Sequence, residues 1–167
     1  MVRLTIDGKV VEAKKGTSIL HAAESVGIKI PTLCYIKDLL PDGSCRMCMV
    51  EIENRGRTKM ETACTAQVAE GLVVTTNSEK VRNARRNILD MLLSNHKTDC
   101  FSCPSNGDCK LQELCFEYGI ERTTYSGEQT ELPIDDSNKF FTYNPNLCIL
   151  CHRCVNTCHK IVGRGAI

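Results

Sequence analysis

The chain has 167 residues, 21 Lys and Arg against 20 Asp and Glu, and twelve cysteines. The charge balance offers neither a basic surplus for phosphate backbones nor an acidic tail, so nucleic acid is not an expected partner. The start lacks the apolar core of a signal peptide and no apolar run is long enough to span a bilayer; a cytoplasmic setting follows, in which cysteines serve as metal ligands rather than disulfides.

Residues 3–15, RLTIDGKVVEAKK, alternate in two short runs around Asp7-Gly8 and predict a hairpin. Thr17 or Ser18 can cap a helix with Ile19, Leu20, Ala23 and Val26 on one face, and Gly27 can end it. Cys34 then falls in an irregular loop with Pro41 and Gly43, which leads to Cys45, Cys48 and a strand from Met49 to Ile52. Further strands are expected over 59–64 and 72–76. The sum is α+β, a small sheet packed on one helix with a cysteine loop at its edge.

Cys34, Cys45, Cys48 and Cys64 are spaced C-x10-C-x2-C-x15-C. Plant-type 2Fe-2S spacing also has a close C-x2-C pair and a distant fourth cysteine, with a shorter first gap. A structural zinc site is the alternative; such sites usually bring two C-x2-C pairs, and only one is present. Gly43 and Ser44 are expected to let backbone N–H groups approach the cluster sulfurs.

Residues 1–110, through TSILHAAESVGIKIPTLCY, DGSCRMCMVEIE, ACTAQV and NHKTDCFSCPSNGDCKLQ, resemble the N-terminal part of iron-only hydrogenases and of the large iron–sulfur subunit of respiratory complex I. Related subunits of NAD-linked formate dehydrogenases and electron-bifurcating enzymes share that part. The resemblance implies a ferredoxin-like β-grasp domain over residues 1–77, with a 2Fe-2S cluster on Cys34, Cys45, Cys48 and Cys64.

From residue 78 to His96 runs a helical pattern with Val81, Ala84, Ile88, Leu89, Leu92 and Leu93 on one face. Arg82, Arg85 and Arg86 fall largely elsewhere and are expected on a solvated face. The helix delivers His96 to Cys100, Cys103 and Cys109, spaced H-x3-C-x2-C-x5-C. In the resembled family this run holds a 4Fe-4S cluster with histidine as fourth ligand, which defines a second domain over 78–120. His21 and His159 stand apart from such a run and are read as ordinary surface or core residues. Cys115 repeats the x5 gap after Cys109 and so is a ligand candidate, yet Leu111, Leu114, Cys115 and Tyr118 share one helical face, which favours the core. Residues 121–140, polar and without period, predict a linker.

The final run, CILCHRCVNTC, places Cys148, Cys151, Cys154 and Cys158 in the C-x2-C-x2-C-x3-C order of bacterial ferredoxins, whose fourth cysteine ligates the other cluster of a pair. Cys148, Cys151 and Cys154 are thus assigned to one 4Fe-4S cluster and Cys158 to a second, with completion of its own run the alternative for Cys158. No second run follows before Ile167, and His159 replaces the usual proline, so residues 141–167 read as the first half of a ferredoxin-type domain at the front of a longer protein.

A row of soft-ligand groups with no catalytic constellation points to electron transport: one 2Fe-2S cluster, one 4Fe-4S cluster with one His and three Cys ligands, and one or two further 4Fe-4S clusters. No G-x-G-x-x-G is present, so nucleotide binding is expected elsewhere. The resemblance implies a hetero-oligomer with an FMN- and NAD(P)H-binding subunit and a small 2Fe-2S subunit, with ferredoxin as a further partner. The front of a catalytic iron-only hydrogenase and a zinc-stapled interaction module are the alternative functions.

Overall fold

The computed structural model describes residues 1–126 and 131–166. The chain forms two compact units, one of residues 1–85 with 152–167 and the other of residues 86–151.

The first unit is built on a five-stranded mixed sheet. Its strands are β1 (Val2–Ile6), β2 (Lys9–Ala13), β3 (Met49–Asn54), β4 (Arg57–Thr62) and β5 (Val73–Thr75), in the order β2-β1-β5-β3-β4. Only β1 and β5 run parallel; the remaining neighbours are antiparallel. Asp7-Gly8 forms the first hairpin turn with φ of 46° and 80°, and Arg55-Gly56 forms an equivalent turn between β3 and β4 with φ of 51° and 76°. Positive φ at both central residues gives the turn a twist that matches the flanking strands. The second hairpin escaped the sequence reading because arginine is an uncommon residue at such a position.

Alternation along the strands sends Leu4, Ile6, Val11, Val50, Ile52 and Val74 to one face, where they bury against Ile19, Leu20, Ala22 and Ala23 of helix α1 (Ile19–Ser25). Each large aliphatic side chain contributes about 1.5–3 kcal/mol by leaving water. Ser18 caps α1 by accepting the His21 N–H at 3.3 Å, and Gly27, at φ 75°, ends it. Asp7 ties the first turn to the end of β5, because its carboxylate accepts the Thr76 N–H at 2.8 Å and the Thr76 hydroxyl.

Helix α2 (Glu79–Ser94) starts at Ser78, whose hydroxyl accepts the Val81 N–H at 3.2 Å and donates to Glu51 at 3.0 Å. Its apolar stripe differs from the expected one at Arg85. That residue is only 3% exposed, and its guanidinium donates to the Met49 carbonyl at 2.7 Å. The reason is positional: Arg85 lies four residues from both Val81 and Leu89, on the buried face. There a long cation can satisfy a strand-end carbonyl while its stem packs. Arg86 is exposed, yet it too is engaged, donating to the Tyr118 carbonyl at 2.6 Å. The basic cluster is thus structural rather than simply solvated.

In the second unit, helix α3 (Lys110–Glu117) buries Leu111, Leu114 and Cys115, with Tyr118 buried just beyond its end, on the face that the spacing predicts. Asp90 anchors the chain after α3 by accepting Thr123 Oγ1 at 2.8 Å and Thr124 N at 2.8 Å. Hydrogen bonds from the Thr124 hydroxyl and amide, with Thr123 adding to them against the opposing effect of burial, hold the Asp90 carboxyl below its usual range, so this anchor is kept at neutral pH and lost only in acid. Of the predicted linker over 121–140, residues 127–130 lie outside the described residues. The rest carries no helix, but Asp135 bridges to Tyr143 and Leu132 is held by Asn146 through bonds of 2.9 and 2.8 Å. After a 3-10 turn at Pro145–Leu147, the chain re-enters the first unit as helix α4 (Arg153–Thr157) and a single π turn, Cys158–Val162. Among the described residues no helix is long and apolar enough to cross a membrane.

Candidate metal centres

The first centre is set by strand register. Met49 opposes Thr62, and the ladder continues as the Ala63 N–H donates to the Cys48 carbonyl at 3.0 Å, which seats Cys48 beside Cys64. Both are buried, 1% and 2% exposed. A second pair forms across the irregular loop, where the Cys34 N–H donates to Cys45 Sγ at 3.4 Å. Hydrogen bonding within each pair divides the protons. The bond from Cys45 pulls the Cys34 thiol down and pushes Cys45 up, and the bond between Cys48 and Cys64 does the same in that order. Each pair therefore holds two sulfurs within hydrogen-bonding reach of one another. Among the described residues no three His, Cys, Asp or Glu side chains are gathered around a single ion position. What is present is two thiol pairs on one loop system, a donor set that fits a two-iron group with two thiolates for each iron.

Gly43 also has a packing reason to lack a side chain. At φ 65° it presses against the turn after β4, where an added Cβ would sit 3.2 Å from Thr65 Cγ2 and 3.4 Å from Thr62 Oγ1. The amides of Cys34, Met47 and Leu33 approach the Cys45 sulfur, and the Ser44 side chain bonds to that of Cys34. Gly43→Ala should therefore strain the loop by about 1–2 kcal/mol. The expected outcome is a lower melting temperature and faster loss of the visible 2Fe-2S spectrum under chelator; unchanged cluster retention would show that the loop yields.

His21, read as a bystander, is one: its ring nitrogens face the Tyr35 hydroxyl at 2.6 Å and Ser18 Oγ at 3.1 Å. The ring of His159 lies against Gly165, 2.9 Å from where a Cβ would stand.

The second centre lies in the second unit. A cavity of about 390 Å³ is lined by His96, Cys100, Cys109 and Cys115, with Leu93 and Leu111 among its apolar walls. Cys103 does not line it; it sits half-buried in the loop, its N–H on the Cys100 carbonyl at 3.3 Å. Gln112, on α3, braces that loop by accepting the Gly107 N–H at 3.0 Å and donating to Asn106 at 3.0 Å. Sequence reasoning passed over Gln112, although a side-chain amide one turn into a helix that follows a cysteine loop is a natural brace. His96 Nδ1 is buried with no hydrogen-bond partner, and burial lowers the affinity of the ring for a proton. Both observations suit a neutral imidazole kept for a metal. Burial, followed by the nearby Cys109 and Cys100, pushes the Cys115 thiol up to about 11, so it stays protonated as a core group does.

The last four cysteines divide between the units. In the second, Cys148 Sγ accepts the Leu150 N–H at 3.4 Å, and Leu150 takes a left-handed φ of 53° to deliver it. In the first, Cys154 is exposed on α4 while Cys158 is buried, its Sγ accepting the Ala166 N–H at 3.2 Å. Backbone amides on thiol sulfurs are the kind of support that iron–sulfur ligands use. No disulfide links the cysteines among the described residues.

Comparison with known proteins matches two regions of the chain to iron–sulfur binding domains. Residues 1–79 match the model of the 2Fe-2S iron-sulfur cluster binding domain, and residues 85–124 match that of the NADH-ubiquinone oxidoreductase-G iron-sulfur binding region. The whole chain is 44% identical to part of the NADPH-Fe(3+) oxidoreductase subunit alpha of Geobacter sulfurreducens, of which it covers 20%. It is 38% identical to part of the NADP-reducing hydrogenase subunit HndD of Solidesulfovibrio fructosivorans, covering 29% of that protein. Among solved structures, an NAD+-reducing NiFe-hydrogenase in the H2-reduced state superimposes with a TM-score of 0.86 at 32% identity, over 94% of this chain and 65% of that one. The chain thus spans only a fifth to less than a third of these curated relatives. Its two matched regions are those of iron–sulfur binding domains, and the whole chain is similar to part of NAD(P)H-linked oxidoreductase subunits.

Proposed function

We propose that the chain relays single electrons between an FMN- and NAD(P)H-binding partner and a catalytic or ferredoxin site, within a cytoplasmic hetero-oligomer that includes a small 2Fe-2S subunit. The observation that carries the reading is the pairing of Cys34 with Cys45 and of Cys48 with Cys64 on one buried loop system. The mixed sheet closing on α1 is consistent with a β-grasp ferredoxin-like domain over residues 1–77.

The protein's contribution is to hold and to tune. The first loop presents four sulfurs in two pairs and keeps them from water. The cavity below α2 presents His96, Cys100 and Cys109 as ligands, with Cys103 completing the set from its loop over residues 78–120. After the linker, the segment over 141–167 offers Cys148, Cys151 and Cys154 to one 4Fe-4S cluster and Cys158 to another. When bound, iron–sulfur clusters supply one-electron storage at potentials set by ligand charge, burial and hydrogen bonds to sulfur. A plant-type 2Fe-2S centre near about −400 mV suits exchange with NAD(P)H-level partners. The relatives named for NADPH oxidation and NADP reduction support that level.

Iron, zinc and acid-labile sulfide per chain on anaerobically purified protein test the reading. About six iron with equal sulfide is expected if the first two clusters form, and about ten if the ferredoxin-type run also fills. Zinc without sulfide would replace the relay with a zinc-stapled module.

A further inference from the structure

Asp42 stands three residues before Cys45 and joins that loop to the final segment of the same unit. Lys160 Nζ donates to Asp42 Oδ1 at 2.9 Å and to the Leu40 carbonyl at 3.1 Å, and Asn156 Nδ2 donates to Asp42 Oδ2. Asn156 lies on α4 and Lys160 in the π turn, two residues to either side of Cys158.

Both ends of this clamp are firmly seated. On one side Gly43, next to Asp42, is buried close to Thr65 and Thr62, so that a Cβ there would stand 3.2 Å from Thr65 Cγ2 in the turn that carries Cys64. On the other, Cys158 is buried, its carbonyl accepting the Arg164 N–H at 3.2 Å. The space between them is nearly filled, since the cavity bordered by Cys34, Asp42, Ser44 and Asn156 measures about 10 Å³, room for one water at most. Asp42 and Lys160 are about a third exposed. A lone surface pair of that exposure would count for little. Here three charge-assisted or directed bonds converge on one short loop.

We infer that Asp42 is a positioning residue for electron transfer: through Asn156 and Lys160 it registers the segment bearing Cys154 and Cys158 against the loop bearing Cys34 and Cys45. The inference rests on the relay reading above. In each exchange one cluster loses an electron and the other gains it, with no bond made and no proton moved. The rate of such a step falls steeply with the gap, so fixing the approach of the two segments controls it more directly than any change in either ligand set.

The test uses the full chain with Asp42→Ala, Lys160→Ala and both together, read first by amide hydrogen exchange over residues 153–162. Each single variant is expected to exchange there about tenfold faster, with β3 and β4 unchanged. The double variant should fall well short of the product of the two single effects, because Asp42→Ala already removes the Asp42 bonds and leaves Lys160 its bond to the Leu40 carbonyl to lose. Unchanged exchange in Asp42→Ala, or single effects that multiply in the double variant, overturns the clamp. The second readout is the EPR spin relaxation of the 2Fe-2S signal in reconstituted protein. It should slow in Asp42→Ala at an unchanged content of about ten iron per chain, as the neighbouring paramagnet is less firmly held; a wild-type content of about six, with the last run empty, overturns the positioning role. Faster exchange with unchanged relaxation overturns the positioning role. Zinc without sulfide defeats the relay reading itself, and with it the electron-transfer part of the inference, whatever the exchange shows.

Discussion

Cys48→Ser is expected to strip the 2Fe-2S cluster and to unfold the first unit at a markedly lower temperature. The side chain is 1% exposed at the start of β3, and its sulfur sits against that of Cys64. Serine keeps the shape but offers a hydroxyl where iron needs a thiolate, and it leaves that hydroxyl among Leu20, Ala63 and the other apolar neighbours of the core. Iron and sulfide should each fall by about two per chain. The unit buries a modest sheet and one short helix, so ligand binding supplies a sizeable share of its folding energy. A loss of ~3 kcal/mol corresponds to about 10–20 °C in melting temperature for a unit of this size. Metal analysis and thermal melts on anaerobically prepared protein check both parts. Cys115→Ala is the companion measurement. As a core substitution it should cost about 1 kcal/mol and no iron; a loss of about four iron per chain would make Cys115 a ligand of the second cluster.

Most of what positions the first centre is legible without coordinates. The period-2 runs around Asp7-Gly8 and the Ser18 cap appear where the alternation and the side-chain chemistry put them, because each is decided within a few residues. Arg85 shows where local reasoning stops. Its position four residues from Val81 and from Leu89 marks it for the buried face, but classing arginine as polar hides this. The placement of the Met49 carbonyl, 36 residues away in sequence, helps to make the burial favourable. The cavity at His96 divides similarly. The H-x3-C-x2-C-x5-C spacing points to the residues, whereas Cys115 on its wall, the absence of Cys103 from its lining and the Gln112 brace depend on how α3 packs. Asp42 is the extreme case. A lone aspartate in a Pro-Asp-Gly stretch reads as turn chemistry, and its partners are more than a hundred residues away.

His96→Cys should lower the midpoint of the 4Fe-4S cluster by on the order of 100 mV while leaving the iron content intact. The sign follows from charge. Burial lowers the affinity of the His96 ring for a proton and Nδ1 has no protein partner, so the proposed ligand set would offer three thiolates and one neutral nitrogen to the cluster. A fourth thiolate adds one negative charge beside a group that must accept an electron, and the low polarity of a cavity walled by Leu93 and Leu111 screens it poorly. Reduction then becomes more costly and the midpoint moves down. Replacing two cysteines by histidines on one iron of a Rieske centre raises the potential by a few hundred millivolts relative to plant-type clusters; a single exchange on four irons, where charge is spread more widely, should give a fraction of that. An EPR-monitored redox titration reads the shift directly. A midpoint unchanged with all iron retained would show that the imidazole is not a ligand and that Cys115, on the same cavity wall, is the residue to test next. A downward shift would show that histidine sets this site above the potential of an all-thiolate cluster. The same titration, read against the 2Fe-2S signal, orders the two centres and so gives the favourable direction of transfer between them.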